Sequence, residues 1–267
     1  STLFPYTTLF RSTNRPKKIA SRAVEGIRNF YNLDMSLNGM SDNLIQDGEK
    51  VGVTHYLVHS VATTPNQVRS INEFISDEVK SHKRLFTGFG TLHPNSEDIE
   101  GDFEHLLELG LKGVKLHPDF QQFSLNSESA FKLGEVINSG NVPLMLHCGD
   151  YRYNYSNPKQ LKPFLKKFPD MLIIGAHFAG WSMWKKATEE LAGTPNLVVD
   201  LSSSLYNLSS ETAKKLIYAY GVDKVLWGTD YPMWESESEM KLFNKIELTT
   251  NEKKMILYEN AAKILGI

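Results

Sequence analysis

The sequence predicts an α/β chain folded as a (β/α)8 TIM barrel, on three observations. From residue 54 onward, short apolar runs recur, each ending in a polar residue and followed by Gly or Pro and then a helical stretch. The residues that close these runs keep step. His117, His147 and His177 are thirty residues apart, as are Asp200 and Asp230, and a βαβ unit takes about 30 residues. The length, 267 residues, suits a barrel of about 250 residues.

Seven strands can be read in order: 54–59 (THYLVH), 85–93 (LFTGFGTLH), 113–117 (GVKLH), 142–147 (VPLMLH), 171–177 (MLIIGAH), 197–201 (LVVDL) and 225–230 (VLWGTD). Runs this short and this apolar read as strands buried on both faces of a parallel sheet. Between them lie amphipathic helices. Residues 65–82 open on Pro65, suited to a first helical turn, and space Val68, Ile71, Phe74, Ile75 and Val79 along one face. Residues 96–109 start from a Ser96 cap, and 126–137 from the cap NSES. Stretches 158–168, 181–191 and 209–220 follow, and 17–31 and 43–51 read as helices ahead of the first run. Two extra C-terminal helices, 235–247 and 251–264, close the chain.

An eighth strand is required before Lys17, where the chain begins STLFPYTTLFRS. Residues 1–12 repeat TLF and lack the cationic start and apolar stretch of a signal peptide. They read as a non-native or disordered segment, so the barrel's first strand is expected to be replaced or degraded. Residues 13–267 are expected to form one domain. An open doubly wound sheet would carry a Gly-rich phosphate turn, and no G-x-G-x-x-G occurs.

Composition narrows the function classes. Lys plus Arg is 29 against 31 Asp plus Glu, a net charge of −2, so the basic footprint of a nucleic-acid binder is missing. No apolar run approaches the roughly 20 residues of a membrane span. Cys148 is the one cysteine; no intrachain disulfide can form, and a reducing, cytoplasmic setting is expected. The expected partner is a small-molecule substrate. The C-terminal helices suit either covering the barrel or pairing with a second copy, so a homo-oligomer stays open.

Active sites of such barrels lie at the C-terminal ends of the strands, which directs attention to His59, His93, His117, His147, His177 and Asp230. Alternation along a strand puts Lys115 with His117 and His147 with Met145, turns Cys148 towards the helices, and pairs His177 with Gly175 and Asp230 with Gly228. Imidazoles with a carboxylate suit a divalent cation, zinc first, with manganese or another divalent ion as alternatives. Such an ion lowers the pKa of a bound water to about 7. The same residues also read as hydrogen-bonded strand ends without a metal. In the aromatic loop 150–157 (DYRYNYSN), Arg152 could clamp a substrate carboxylate and Tyr151 or Tyr153 could line a pocket. Trp181 and Trp234 could wall it. Asp200 suits a structural acceptor and Cys148 a small buried hydrophobe.

The motifs GVKLHP (113–118), LMLHCGD (144–150), IIGAHFAGW (173–181), VVDLSSS (198–204) and LWGTDYP (226–232) resemble the amidohydrolase superfamily. The resemblance is to its mononuclear branch, related to aminocarboxymuconate-semialdehyde decarboxylase, and extends over residues 16–265. It implies that His147 is a metal ligand and that His177 is the water-activating base or a further ligand. It implies that Asp230 binds the metal and accepts the water's proton, and that Lys115 and His117 belong to the substrate pocket, with metal contact possible. The sequence departs in one place: the branch begins with a strand ending His-x-His, whereas the first histidine here is His55. The corresponding position falls around Arg11 to Thr13, which predicts weakened metal binding and impaired activity for this chain. The implied function is a metal-dependent hydrolase attacking a carbonyl-type bond of a small molecule. A non-oxidative decarboxylase and a non-catalytic or truncated barrel are the alternatives.

Overall fold

The computed structural model describes residues 6–8, 16–32, 35 and 37–267. Its strands are β1 (Tyr6–Thr8), β2 (Tyr56–His59), β3 (Phe86–Gly88), β4 (Val114–Leu116), β5 (Leu144–Leu146), β6 (Ile173–Gly175), β7 (Leu197–Asp200) and β8 (Val225–Leu226). All pairings are parallel, in the order β1-β2-β3 and β4-β5-β6-β7-β8. A bridge from Gly90 to Val114 joins the two sets; the Lys115 amide donates to the Gly90 carbonyl at 2.7 Å and the Gly90 amide to that of Gly113 at 2.9 Å. The first strand lies inside the segment 1–12 that the sequence reading set aside: Tyr6, Thr7 and Thr8 register with Leu57, Val58 and His59. The rest of that segment, and the Arg11–Thr13 position, lie outside the described residues.

The helices are α1 (Pro16–Tyr31), α2 (Ser41–Glu49), α3 (Val68–Ser81), α4 (Ile99–Glu108), the single turn α5 (Pro118–Gln121), α6 (Glu128–Ser139), α7 (Pro158–Lys167), the tight turn α8 (Ala176–Ala179), α9 (Trp184–Leu191), α10 (Ser210–Tyr220), α11 (Ser236–Asn244), α12 (Thr250–Lys254) and α13 (Asn260–Leu265). Short polar side chains start them by taking an orphan amide of the first turn. Ser127 accepts from Ala130 N (3.2 Å) and Ser209 from Thr212 N (3.1 Å). Asp98, rather than Ser96, caps α4, accepting from Gly101 N at 2.9 Å. A π-helical turn, Met255–Glu259, joins α12 to α13, and its Ile256 carbonyl accepts from the Trp227 amide at 3.0 Å. No helix among the described residues is long and apolar enough to cross a membrane.

Alternation along the strands sorts the core into two layers. Leu57, Phe89, Met145, Ile174, Ala176, Val198 and Leu226 pack together inside the barrel. Their neighbours Val58, Leu144, Leu146, Cys148, Ile173, Val199 and Trp227 pack outward against the helices. Ala261 and Ala262 of α13 join the inner cluster, and Asn260 Nδ2 donates to the carbonyls of Val222 and Val225 where β8 begins, at 2.8 Å each. The C-terminal helix thus covers the barrel at the end opposite the strand-end histidines.

Candidate functional site

At the other end, His59, Lys115, His117, His147, His177 and Asp230 line one cavity of about 650 Å3. α1 supplies part of its wall through Ile27, Phe30 and Tyr31.

Each side chain has a local reason for its place. His117 ends β4 and caps α5, its Nδ1 accepting from the Phe120 amide at 3.3 Å. That nitrogen is therefore bare, and in the neutral ring Nε2 carries the proton and donates to Tyr31 Oη at 3.0 Å. The ring lies flat between Phe120 and His147, at centroid distances of 3.7 and 3.9 Å. Gln121 Oε1 accepts from the His117 amide at 2.9 Å, while its Nε2 donates to the carbonyls of Ala62 (3.0 Å) and Leu92 (2.7 Å). One buried amide thus ties together the ends of β2, β3 and β4.

His177 arrives by a different route from the one alternation predicts. The inward positions of β6 are Ile174 and Ala176, so His177 does not share its face with Gly175 as a strand residue would. Instead the backbone turns left-handed at His177, Phe178 and Ala179, with φ of 60°, 54° and 54°. Each such residue costs roughly 1–2 kcal/mol without compensation. Asp200 supplies part of it: its Oδ1 accepts from the amides of His177 (3.2 Å) and Ser202 (2.8 Å). Tyr220 Oη donates to the Phe178 carbonyl at 2.9 Å.

The hydrogen bonds then fix tautomers. The Ser202 carbonyl can only accept, so His177 Nδ1, at 2.9 Å, carries the proton and Nε2 is bare. His147 Nδ1, 3.2 Å from that Nε2, is the donor, which leaves His147 Nε2 bare as well. This atom is buried, has no hydrogen-bond partner, and faces Asp119 Oδ2 at 3.6 Å. Asp119 Oδ2 accepts from Ser156 Oγ at 2.7 Å, while its Oδ1 is buried without a partner. Burial pushes the Asp119 carboxyl up to about 7. Burial, with the neighbouring His117 and His177, holds His147 well below the ordinary histidine value. A bare buried imidazole nitrogen beside a buried carboxyl with one unpartnered oxygen marks a place for a proton or a cation. Among the described residues, His117, Asp119 and His147 form a group whose donor atoms all lie within 4.8 Å of one another.

Asp230, also left-handed (φ 51°), stands across the cavity. Its Oδ2 accepts from Ser203 Oγ at 2.7 Å, and Ser203 Oγ accepts from Trp234 Nε1 at 2.8 Å. Burial raises its carboxyl above the ordinary value, opposed by His177 and Lys115.

The structure therefore brings His147, His177, Asp230, Lys115 and His117 to one cavity. It adds Asp119 and Tyr31, which the sequence reading missed. The carboxylate two residues after His117 was the available signal for Asp119; Tyr31, on a distant helix, left none. His177 and Asp230 stand outside the three-residue donor group. Three expected pocket residues do not line the cavity. Arg152 is not free to clamp a substrate: Nε and Nη2 hold both oxygens of buried Asp150 (2.9 and 2.7 Å), and Nη1 donates to the Phe30 carbonyl at 2.8 Å. Its guanidinium lies over the rings of Phe30, Tyr31, Tyr153 and Trp181. Tyr151 is 74% exposed. Trp181 packs edge-on against Tyr31, and its backbone pairs with Gly149, where φ is +102° and a Cβ would collide with the Trp181 backbone.

The family model for amidohydrolases matches residues 35–267. The chain belongs to the amidohydrolase family. Solved structures with the same fold span nearly the whole chain at low identity. An uncharacterized TIM-barrel protein from Bordetella bronchiseptica matches with a TM-score of 0.81 at 17% identity, covering 100% of this chain and 99% of that one. A dihydroxybenzoic acid decarboxylase from Polaromonas sp., with bound manganese and 2-nitroresorcinol, matches at 0.73 and 15%, covering 100% and 97%. A probable 2-pyrone-4,6-dicarboxylic acid hydrolase from Acinetobacter baumannii, with citric acid bound, matches at 0.70 and 17%, covering 100% of both. The fold of this amidohydrolase thus houses both hydrolases and decarboxylases.

Proposed function

We propose that the chain is a metal-dependent hydrolase that attacks a carbonyl-type bond of a small molecule. The observation that carries this reading is the bare, buried Nε2 of His147, 3.6 Å from Oδ2 of Asp119, a buried carboxyl whose other oxygen has no partner. These two residues, with His117 as third donor once its ring exchanges one of its present hydrogen bonds (to Tyr31 or Phe120) for the ion, would hold a divalent cation, zinc or manganese. His147 already has the support a ligating imidazole needs: its Nδ1–H is fixed on His177, which is fixed on Ser202. When bound, the cation would supply Lewis-acid activation of a water and polarisation of the substrate carbonyl.

The chain's own residues do the rest. His177, with Nδ1 committed to Ser202, orients His147. Asp230 has one oxygen occupied by Ser203, so its other oxygen is the one to take the water's proton; its raised carboxyl value suits a group that must also give the proton back. α1, held by Arg152 at the Phe30 carbonyl, shields the cavity from solvent. Metal analysis of the purified protein, followed by a screen of amides, esters and lactones, tests the reading. Metal-dependent hydrolysis that is lost in Asp230→Asn is expected. Hydrolysis that persists after chelation contradicts it.

The second reading, a non-oxidative decarboxylase of a carboxylated small molecule, is favoured by the apolar cavity wall around a buried lysine, Lys115. Carbon dioxide release from aromatic acids, without hydrolysis products, would select it.

A further inference from the structure

Two helices on the outer wall of the barrel carry rows of opposite charge. Between residues 85 and 111 the chain has no Lys or Arg, and between 157 and 169 it has no Asp or Glu. α4, in the first stretch, buries Ile99, Phe103 and Leu106. It exposes Glu100, Glu104 and Glu108, whose spacing of four puts them in one row. Leu107 stands in the same row and is 37% exposed. α7, in the second stretch, buries Leu161, Phe164 and Leu165 and exposes Lys159, Lys162 and Lys166 on one face. At about 1.5 Å per residue the two rows run ~12 Å and ~10.5 Å. Charged neighbours are paired within the chain, Asp102 with Arg69 and Lys167 with Glu135, whereas the two rows hold no ion pair among the described residues. The shapes also match. Lys162, Leu165, Lys166 and the turn 192–195 enclose a hollow of about 310 Å3, with lysines on its rim and Leu165, Ala192 and Pro195 inside. α4 offers a knob, Leu107, flanked by Glu104 and Glu108.

We infer that the α4 row of one copy of this chain docks on the α7 row of a second copy, with Leu107 entering the hollow and the glutamates meeting the rim lysines. Burial of Leu107 supplies the apolar contact, and the charges set register and encounter rate. A net charge of −2 opposes this attraction only weakly. α4 follows β3 and α7 follows β5, with α6 between them on the barrel wall, so the two faces point in different directions. The contact is therefore head-to-tail, and it extends into a ring or a chain of copies. It shares no residue with the strand-end cavity and does not depend on the proposed function.

The test is sedimentation velocity of the full chain at about 100 μM. It is run in about 20 mM and about 500 mM salt, where charges act over roughly 20 Å and 4 Å. Wild-type protein is expected to sediment as two or more chains at low salt and as a monomer at high salt. Glu104→Lys with Glu108→Lys should be monomeric at low salt, because both rows are then basic. Lys162→Glu with Lys166→Glu should be monomeric too, because both rows are then acidic. An equimolar mixture of these two variants should associate again, since each row of one then meets its opposite on the other. Leu107→Ser should weaken association at least about tenfold. All these positions are exposed, so thermal melts matching wild type separate lost docking from lost folding. Wild-type protein that stays monomeric at low salt, or association undiminished by high salt or by any of these substitutions, would overturn the inference. A mixture that fails to re-associate would overturn it as well.

Discussion

Replacing Asp119 with Asn removes the carboxylate that stands 3.6 Å from the bare Nε2 of His147. Burial pushes that carboxyl up to about 7, so at pH 6 roughly nine chains in ten hold a proton there, and at pH 8 roughly one in ten. A cation must displace that proton. The bare His147 nitrogen has none to lose. Zinc or manganese binding should therefore release about 0.9 proton from Asp119 at pH 6 and about 0.1 at pH 8, with affinity falling about tenfold per pH unit below 7. Calorimetric titrations in buffers of different ionisation enthalpy count the protons. In Asp119→Asn the Asp119 proton release should vanish and affinity at pH 8 should fall at least about tenfold, ~1.4 kcal/mol. Unchanged affinity in the variant, or no proton release by wild-type protein at pH 6, would refute the assignment of this carboxylate to the cation.

Other consequences follow from burial and geometry. Glu239 is 1% exposed with both carboxylate oxygens unpartnered, and its carboxyl is raised to about 8. The folded chain keeps a proton that the unfolded chain gives up, so stability is lost as pH rises from about 4.5 and levels off above 8. Glu239→Gln should stabilise by up to ~3 kcal/mol at pH 7 and by nothing near pH 4, read by denaturant melts at both values. Arg152→Met leaves buried Asp150 unpaired and frees the α1 terminus; a loss of ~3 kcal/mol is expected in urea unfolding. Met145→Ala empties part of the inner barrel layer and should cost ~2–5 kcal/mol. Gly149→Ala forces a Cβ into the Trp181 backbone at positive φ and should lower the melting temperature more than an exposed Gly193→Ala, where the added carbon meets nothing.

The barrel was legible because its signal is repetitive: buried parallel strands read as apolar runs, and the thirty-residue interval sets their order. The strand-end residues were legible for the same reason, since each run stops on the residue that reaches the mouth. Alternation failed at His177 because three left-handed residues after β6 replace strand geometry, and their hydrogen-bond support comes from Asp200 and Tyr220, far away in sequence. Arg152 was misread because a free arginine and one spent on a buried carboxylate two residues away look the same in sequence. Asp119 was missed because it sits on the single turn α5, beyond the end of its strand; only the fold brings it against His147. Tyr31 reaches His117 from a helix 86 residues earlier, a contact with no local signature.

Equilibrium dialysis of the metal-stripped chain against zinc or manganese, with the bound ion counted per chain, addresses the central claim. One cation per chain is expected in wild-type protein and in Glu239→Gln, and none in His147→Ala at the same free concentration. Binding that survives the loss of His147, or no binding at all, would contradict it.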